Sequence, residues 1–568
     1  MKRKETFTPP WLEIPPAPET YRSIMKWGDV NYFKHPNHHL YELLKETLNL
    51  TDDDFQAPFN TGEEHVLVKQ QSNISEDELV ELRFIVGSEN VDASETARAN
   101  HCYGKSMLDL LRLRSGIIEN PPDVVVYPRN TDEVTRIINL CNERNIAIVV
   151  HGGGSSVTSG LESVCGGISL DMRRHMNRII EVDPLKQIVT VQPGILGPDL
   201  EATLNHSQEC FNTPFDYTCG HFPQSFEFST VGGWILTRGA GQNSTYYGKI
   251  EDLVLSQKYV HPTGEISTLD IPAKAIGPDI DQVMIGSEGA FGILVEVTLK
   301  IFRFQPANRK RFGFIFKDWD SSIEACREIM QGEFGFPSLL RLSDPEETEV
   351  AFKLYGVENT PLDWLLNKQG FQNKSRCLLL GHTEGDKDFG RLVHRKIRRI
   401  CKNNGAFYTT GYVVKRWEHG RFTDPYLRDA LGDFGIIIDT LECGVNWSNI
   451  QEVYSGVRKY CHSRTNTVCM THLSHFYPQG ANLYFIFIFK MESISDYLNY
   501  QAGFLDTIIR RGASVSHHHG IGKMFAPWLK KQIGNNQLDL LKVIKHQLDP
   551  NNILNPGGTL ALDLLEDS

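Results

Sequence analysis

The sequence predicts an α+β chain in which a two-part α/β domain is followed by a second α/β region. Three observations predict it. From Pro121 to Val150 a β-branched run, a helical pattern and a second β-branched run follow within about 30 residues, the spacing of a strand–helix–strand unit. From there to about Phe304 the chain is poor in helical periodicity and rich in glycine. Beyond it, strand-like runs alternate with helical stretches to about residue 500.

At 568 residues the chain exceeds one ordinary core, so two or three domains are expected. Apolar residues make up 40% and charged residues 23%, an ordinary globular balance. A net charge of -12 argues against a nucleic-acid surface but leaves room for a basic pocket around one anionic ligand. The eleven cysteines, scattered from Cys102 to Cys469, include no C-x-x-C pair. Neither a disulfide framework nor a zinc site is therefore expected, and the thiols should be reduced and mostly buried. MKRKETFTPPWLEIPP has no apolar stretch after its basic residues, LLEDS is no peroxisomal address, and no apolar run would span a bilayer. The expectation is a cytoplasmic protein with at most peripheral membrane contact.

Residues 1–115 are expected to form an N-terminal extension, mostly helical (HHLYELLKETLNL, EDELVELRFIVG) after a lead-in extended by Pro9, Pro10, Pro15, Pro16 and Pro18. Residues 116–305 hold the first domain. PPDVVVYP reads as a strand, TDEVTRIINLCNERN as a helix with Thr131 placed to cap it, and IAIVV as a buried strand ended by glycines. GISLDM, RIIEVDPLKQIVTVQPG and LVLSQKYVHPTGE read as further strands, the second a hairpin about DPLK. In residues 306–500, RKRFGFIFK, RCLLLGHTEG and NLYFIFIFK are strands; residues 501–568 are a helical segment completing the site.

Three glycine clusters stand beside β-like runs. His151-Gly152-Gly153-Gly154-Ser155-Ser156 directly follows IAIVV. Its backbone can approach a ligand without Cβ interference, and its successive N–H groups can form an anion nest suited to a pyrophosphate. Taken alone such a tract is more often a plain turn, and it is neither a Rossmann fingerprint nor a Walker loop. Ser229-Thr230-Val231-Gly232-Gly233 precedes Thr237-Arg238-Gly239-Ala240-Gly241, and the third cluster runs from Gly286 to Gly292. Near the other end, His517, His518 and His519 are consecutive, so they cannot all point one way at one metal. They are either a turn with one buried and two solvated imidazoles or a proton shuttle.

In fixed order, strand-GGGSS, Pro193-Gly194-Ile195, FSTVGG, GSEGAFG and a terminal DPNNILNPG resemble the vanillyl-alcohol oxidase superfamily of FAD enzymes. Its members of the p-cresol methylhydroxylase type join an FAD-binding domain of two α/β subdomains to a cap domain carrying the substrate pocket. Within it the chain is similar to the alkylglycerone-phosphate synthase family from about residue 100 to residue 557, through GPDI at Gly277, STVGGW at Ser229, SHHHGIGK at Ser516 and PYLRD at Pro425.

That resemblance implies that Val150, His151, Gly152, Gly153, Gly154, Ser155 and Ser156 cradle the FAD pyrophosphate. Gln224, Ser225, Phe226, Glu227, Phe228, Ser229, Thr230, Thr237, Arg238, Gly239 and Ala240 would line the rest of the cofactor. Gly286, Ser287, Glu288, Gly289, Ala290, Phe291 and Gly292 would complete it. Covalent relatives tether FAD in an R-x-x-G-H setting that VVHGGGSS lacks, so non-covalent FAD is expected, with His151 the one residue that keeps a tether open. Arg428 matches the family's phosphate-binding arginine; as a lone residue it would otherwise pair with Asp424 or Asp429. Arg341 and Thr440 match further substrate-side positions. Tyr484 and His518 match the family's acid–base pair, flanked by His517 and His519.

Related D-lactate and D-2-hydroxyglutarate dehydrogenases hold a metal where this chain has Tyr484 and His518, a poor exchange for a histidine and a glutamate, so no metal is expected. Where eukaryotic synthases have C-R-V-T, this chain has His472-Leu473-Ser474, with His475 next. The implied reaction exchanges the acyl group of acyl-dihydroxyacetone phosphate for a long-chain alcohol, without net redox change. The implied partners are the small-molecule lipid phosphate and that alcohol, with a homodimer as a further expectation. The rivals are a flavin dehydrogenase or oxidase of a 2-hydroxy acid or other alcohol, and a flavin-binding protein without chemistry.

Overall fold

A computed structural model describes residues 13–56 and 58–564; Pro9 and Pro10 of the lead-in and the last four residues of LLEDS lie outside the described residues. Among the described residues three larger sheets organise the chain, beside a two-stranded one that pairs Phe302–Arg303 with Tyr217–Thr218. The first has the order Val91–Asp92, Val124–Val126, Ile168–Asp171, Ile148–His151, the last three parallel. Helix Thr131–Arg144 carries the chain from the second of these to the last, burying Val134, Ile137, Ile138 and Cys141 at helical spacing. Its cap is Asn130 rather than Thr131. Asn130 is the last extended residue, and its side chain accepts the Glu133 N–H at 3.0 Å, whereas Thr131 is already inside the helix.

The second sheet is antiparallel, in the order Ile179–Asp183, Ile188–Val191, Ile293–Lys300, Val254–His261, Gly264–Ser267. The DPLK turn closes its first hairpin, with the Asp183 carboxylate accepting from the Leu185 and Lys186 N–H groups at 2.9 and 3.0 Å. The third sheet is a seven-stranded antiparallel one. Besides the two-residue edge strand Phe407–Tyr408, three of its strands are not read from the sequence: Leu339–Ser343, Ile436–Asn446 and Val468–Tyr477. They carry Arg341, Thr440, Glu442, His472 and His475 among their apolar residues, which breaks the run that marks a buried strand. One face of this sheet is covered by helices including Trp319–Gln331, Lys387–Asn403, Ile450–Cys461 and Ile494–Arg510 around Phe314, Phe485 and Phe487.

The chain ends are woven into both domains. Helix His38–Leu48 packs on Leu431, Phe434 and Ile436 of the cap, while helix Glu76–Val86 packs on the first sheet. Near the other end, the Ile553 carbonyl accepts the Ile148 N–H at 2.7 Å and the Asn555 N–H donates back to the Ile148 carbonyl at 2.8 Å. That extra pairing braces the strand leading into the first glycine loop. Nine cysteines are buried, with Cys165 and Cys210 exposed. No helix among the described residues is long and apolar enough to cross a membrane.

Candidate active site

A cavity of about 380 Å³ lies between the glycine loops and the open face of the cap sheet. One wall is made by Val150, His151, Gly152, Gly153, Gly154, Ser155 and Ser156, with Gln224, Ser225, Ser229, Thr230, Thr237, Gly239, Ala240 and Glu288. Arg341, Arg428, Thr440, His472, His475, Tyr484, His518 and His519 face it. Phe226, Glu227, Phe228, Arg238, Gly286, Ser287, Gly289, Ala290, Phe291 and Gly292 do not line the cavity. Arg238 donates to the Gln282 and Ile285 carbonyls, and Phe291 is buried in the core of the second sheet.

The first loop has the chemistry a diphosphate needs. A Cβ on Gly153 would stand 1.8 Å from the Phe228 carbonyl oxygen, so only glycine lets the loop pack there, and Gly154 takes φ +68°. Among the described residues, the N–H groups of residues 152–156 donate to no protein acceptor. Such a run of free donors fits the pyrophosphate of FAD. His151 also lines the cavity; its ring lies 4.3 Å from that of His101, and its Nδ1 stands 3.8 Å from Asp171.

Arg428 sits on helix Asp424–Gly432. One amino group donates to the Lys105 carbonyl at 2.8 Å, and the buried Nε has no partner among the described residues. The pairings a lone arginine would take are not made: Asp424 pairs with Lys34 at 2.8 Å, and Asp429 accepts the Trp27 N–H at 2.7 Å. Arg341 instead pairs with Glu347 at 2.6 Å. Glu347 also meets His472 Nδ1 at 3.2 Å. Burial works against the Glu347 charge, but Arg341 and His472 outweigh it and hold the carboxyl well below its usual range.

The Tyr484 hydroxyl donates to Thr440 Oγ1 at 3.0 Å, and its ring stacks on His472, centroids 4.8 Å apart. Burial pushes the phenol up to about 12. His518 and His519 lie 6.0 and 5.7 Å from that ring. All three consecutive histidines are half-buried, rather than one buried and two solvated. His517 Nε2 meets the Tyr477 hydroxyl at 2.8 Å, and His517 Nδ1 meets His518 Nδ1 at 3.1 Å. Burial, then the neighbouring imidazoles, hold His517 and His518 well below their ordinary value.

The family described as FAD binding domain matches residues 122–270, and that described as FAD linked oxidases, C-terminal domain, matches residues 305–559. Alkyldihydroxyacetonephosphate synthase (the same enzyme class as alkylglycerone-phosphate synthase) of Dictyostelium discoideum is 32% identical over 495 residues, 84% of this chain and 79% of its own. The chain belongs to the alkyldihydroxyacetonephosphate synthase family. A solved alkyldihydroxyacetonephosphate synthase superposes with a TM-score of 0.78 at 28% identity, covering 94% of this chain and 98% of that one. p-Cresol methylhydroxylase shares the fold, with a TM-score of 0.64 at 17% identity over 86% of this chain and 98% of its own. The protein is thus an FAD-dependent enzyme of the alkyldihydroxyacetonephosphate synthase type, and FAD is its cofactor.

In this member of the alkyldihydroxyacetonephosphate synthase family, two carboxylates shape the site in ways sequence reading missed. Glu442, buried on strand Ile436–Asn446, accepts the N–H groups of His517, His518 and His519 at 2.8 to 3.1 Å and the Ser516 hydroxyl at 2.8 Å. Glu288 accepts the Ile521 N–H at 2.7 Å and the Gly522 N–H at 2.8 Å. The histidine loop is therefore held from the cap side by one carboxylate and from the FAD side by the other. Glu288 had a signal, its glycine cluster, though not for this role. Glu442 had none beyond being an acid in an apolar run.

Proposed function

We propose that the protein exchanges the acyl group of acyl-dihydroxyacetone phosphate for a long-chain alcohol, forming an alkyl ether and releasing a fatty acid. Arg428 carries the reading. A half-buried guanidinium with no carboxylate partner among the described residues, opening on the same cavity as Tyr484, His518 and the first glycine loop, suits the phosphate of such a substrate. Bound FAD supplies a ring that can take up and return an electron pair, so the exchange needs no outside oxidant. The protein's own groups do the rest. Burial keeps His518 as neutral imidazole and Tyr484 as phenol at neutral pH, so one is ready to accept the proton alpha to the ketone and the other to donate. With His518 Nδ1 engaged by His517, Nε2 is the atom for that transfer. Oxidation of a 2-hydroxy acid has less support, because Glu347 already occupies His472. The test is purified protein with acyl-dihydroxyacetone phosphate and radiolabelled hexadecanol. Label should enter an alkali-stable lipid, and Tyr484→Phe should abolish it; no labelled ether from the wild type would refute the reaction.

Peripheral membrane contact belongs to the same reading. Helix Lys387–Asn403 exposes Lys387, Arg391, Arg395, Lys396, Arg398, Arg399 and Lys402 against the single acid Asp388, on a chain of net charge -12. Each cation near an anionic bilayer is worth about 1 kcal/mol. The protein should float with phosphatidylserine vesicles and not with phosphatidylcholine ones, and Arg395→Glu with Arg399→Glu should release it. Equal binding of that double variant would refute this surface.

A further inference from the structure

Below the first glycine loop lies a second cluster that the reaction does not use. His151 and Asp171 end two adjacent parallel strands as register partners, and His101, the residue after helix Glu95–Asn100, is brought against them. All three are more than nine-tenths buried. His101 Nε2 stands 3.0 Å from Asp171 Oδ2, and His151 Nδ1 stands 3.8 Å from the same oxygen. One ligand atom from each residue lies within 4.8 Å of the other two.

We propose that His101, His151 and Asp171 form a binding site for a divalent transition-metal ion of the zinc type. Bonds of about 2.0–2.1 Å to a tetrahedral ion set ligand atoms about 3.3 Å apart, between the two distances observed. The surroundings fix each donor as a ligand. His101 Nδ1 meets the Ala97 carbonyl at 2.8 Å, which makes Nε2 the lone-pair nitrogen facing the carboxylate. Asp171 Oδ1 is taken by the Arg173 and Arg174 N–H groups at 2.7 and 3.2 Å, leaving Oδ2 for the ion. A lone pair set against a carboxylate oxygen is repulsive, and a cation between them resolves it.

Protonating His101 would relieve that pair but leave His151 unsatisfied. Among the described residues neither of its ring nitrogens has a hydrogen-bond partner, although the ring is buried. An ion meets all three groups at once, two imidazoles and one carboxylate being a set that suits such metals, with a solvent oxygen for the fourth position. The site ties the end of the strand entering the glycine loop to its neighbour and to the N-terminal segment. His151 also lines the FAD cavity, but the metal site does not rest on the reaction proposed above.

The test is metal analysis of the purified full-length holoenzyme after dialysis into metal-free buffer, with Zn²⁺ affinity read by competition against a chromophoric chelator. About one ion per chain is expected. His101→Asn and Asp171→Asn should each weaken Zn²⁺ binding by about 100-fold or more, while His517→Asn, in the other histidine cluster, retains it. A metal-free wild type that takes up no Zn²⁺, or loss of the ion only in His517→Asn, would overturn the proposal. Should the first two variants fail to fold, anomalous scattering at the zinc edge from wild-type crystals decides it. A peak between the two strand ends supports the site, and its absence there refutes it.

Discussion

At the residue scale, Arg428 matters because nearby acids leave it alone: Asp424 is held by Lys34, and Asp429 by the Trp27 backbone. Arg428→Ala should raise the Michaelis constant for the phosphate substrate by the equivalent of about 2–3 kcal/mol. An unchanged constant would remove its role. Glu442→Gln tests the loop it holds. An amide cannot accept all four donors and sets its own N–H against one of them, so stability should fall by about 1–3 kcal/mol. Turnover should fall by about 100-fold as His518 loses its position. Urea unfolding and steady-state kinetics read the two effects separately. That Arg428, Tyr484 and His518 meet at one cavity was legible because each lies in a short recognisable motif; their roles remain those proposed above. Glu442 was not, because its meaning depends on N–H groups of residues 517–519, and no local pattern marks a carboxylate as their acceptor.

At the element scale, the strand–helix–strand unit and the DPLK hairpin were legible because burial there is periodic and the turns carry their own chemistry. Leu339–Ser343 and Val468–Tyr477 were illegible for the opposite reason. Their polar residues face the cavity, so the residues that do the chemistry are the ones that disguise the strand. The glycine loop is the element most sensitive to a single atom. Gly153→Ala brings a Cβ to 1.8 Å from the Phe228 carbonyl oxygen, and the loop must move. That overpacking costs about 1–3 kcal/mol, and the purified variant should carry much less flavin, read as absorbance near 450 nm against 280 nm. Full flavin content would mean that the loop does not cradle the cofactor.

At the scale of the whole molecule, the division into an FAD side and a cap side was readable, but the weaving of both chain ends across them was not, since it rests on long-range pairs such as Ile148 with Ile553. Burial at the domain contact also sets the response to acid. His221 is pushed down to about 3, chiefly by burial, and His475, His517 and His518 well below their ordinary value. Once unfolded, each takes up a proton below about pH 6.5 that its buried form refuses, so stability falls as pH drops, by up to about 1.4 kcal/mol per pH unit per histidine. Glu201 and Asp344, both pushed up to about 7 by burial, oppose this, since they keep protons in the fold. Burial also raises Asp109, Glu227, Glu288 and Asp439, but among the described residues eleven histidines are lowered against these six carboxyls, so the urea midpoint should be lower at pH 5.5 than at pH 7.5; a higher one would contradict this balance. The most direct measurement is the flavin spectrum of the holoenzyme under anaerobic turnover with acyl-dihydroxyacetone phosphate and hexadecanol. Ether product accumulating while the flavin ends fully oxidised is the predicted result, and lasting bleaching of the flavin without ether product would contradict it.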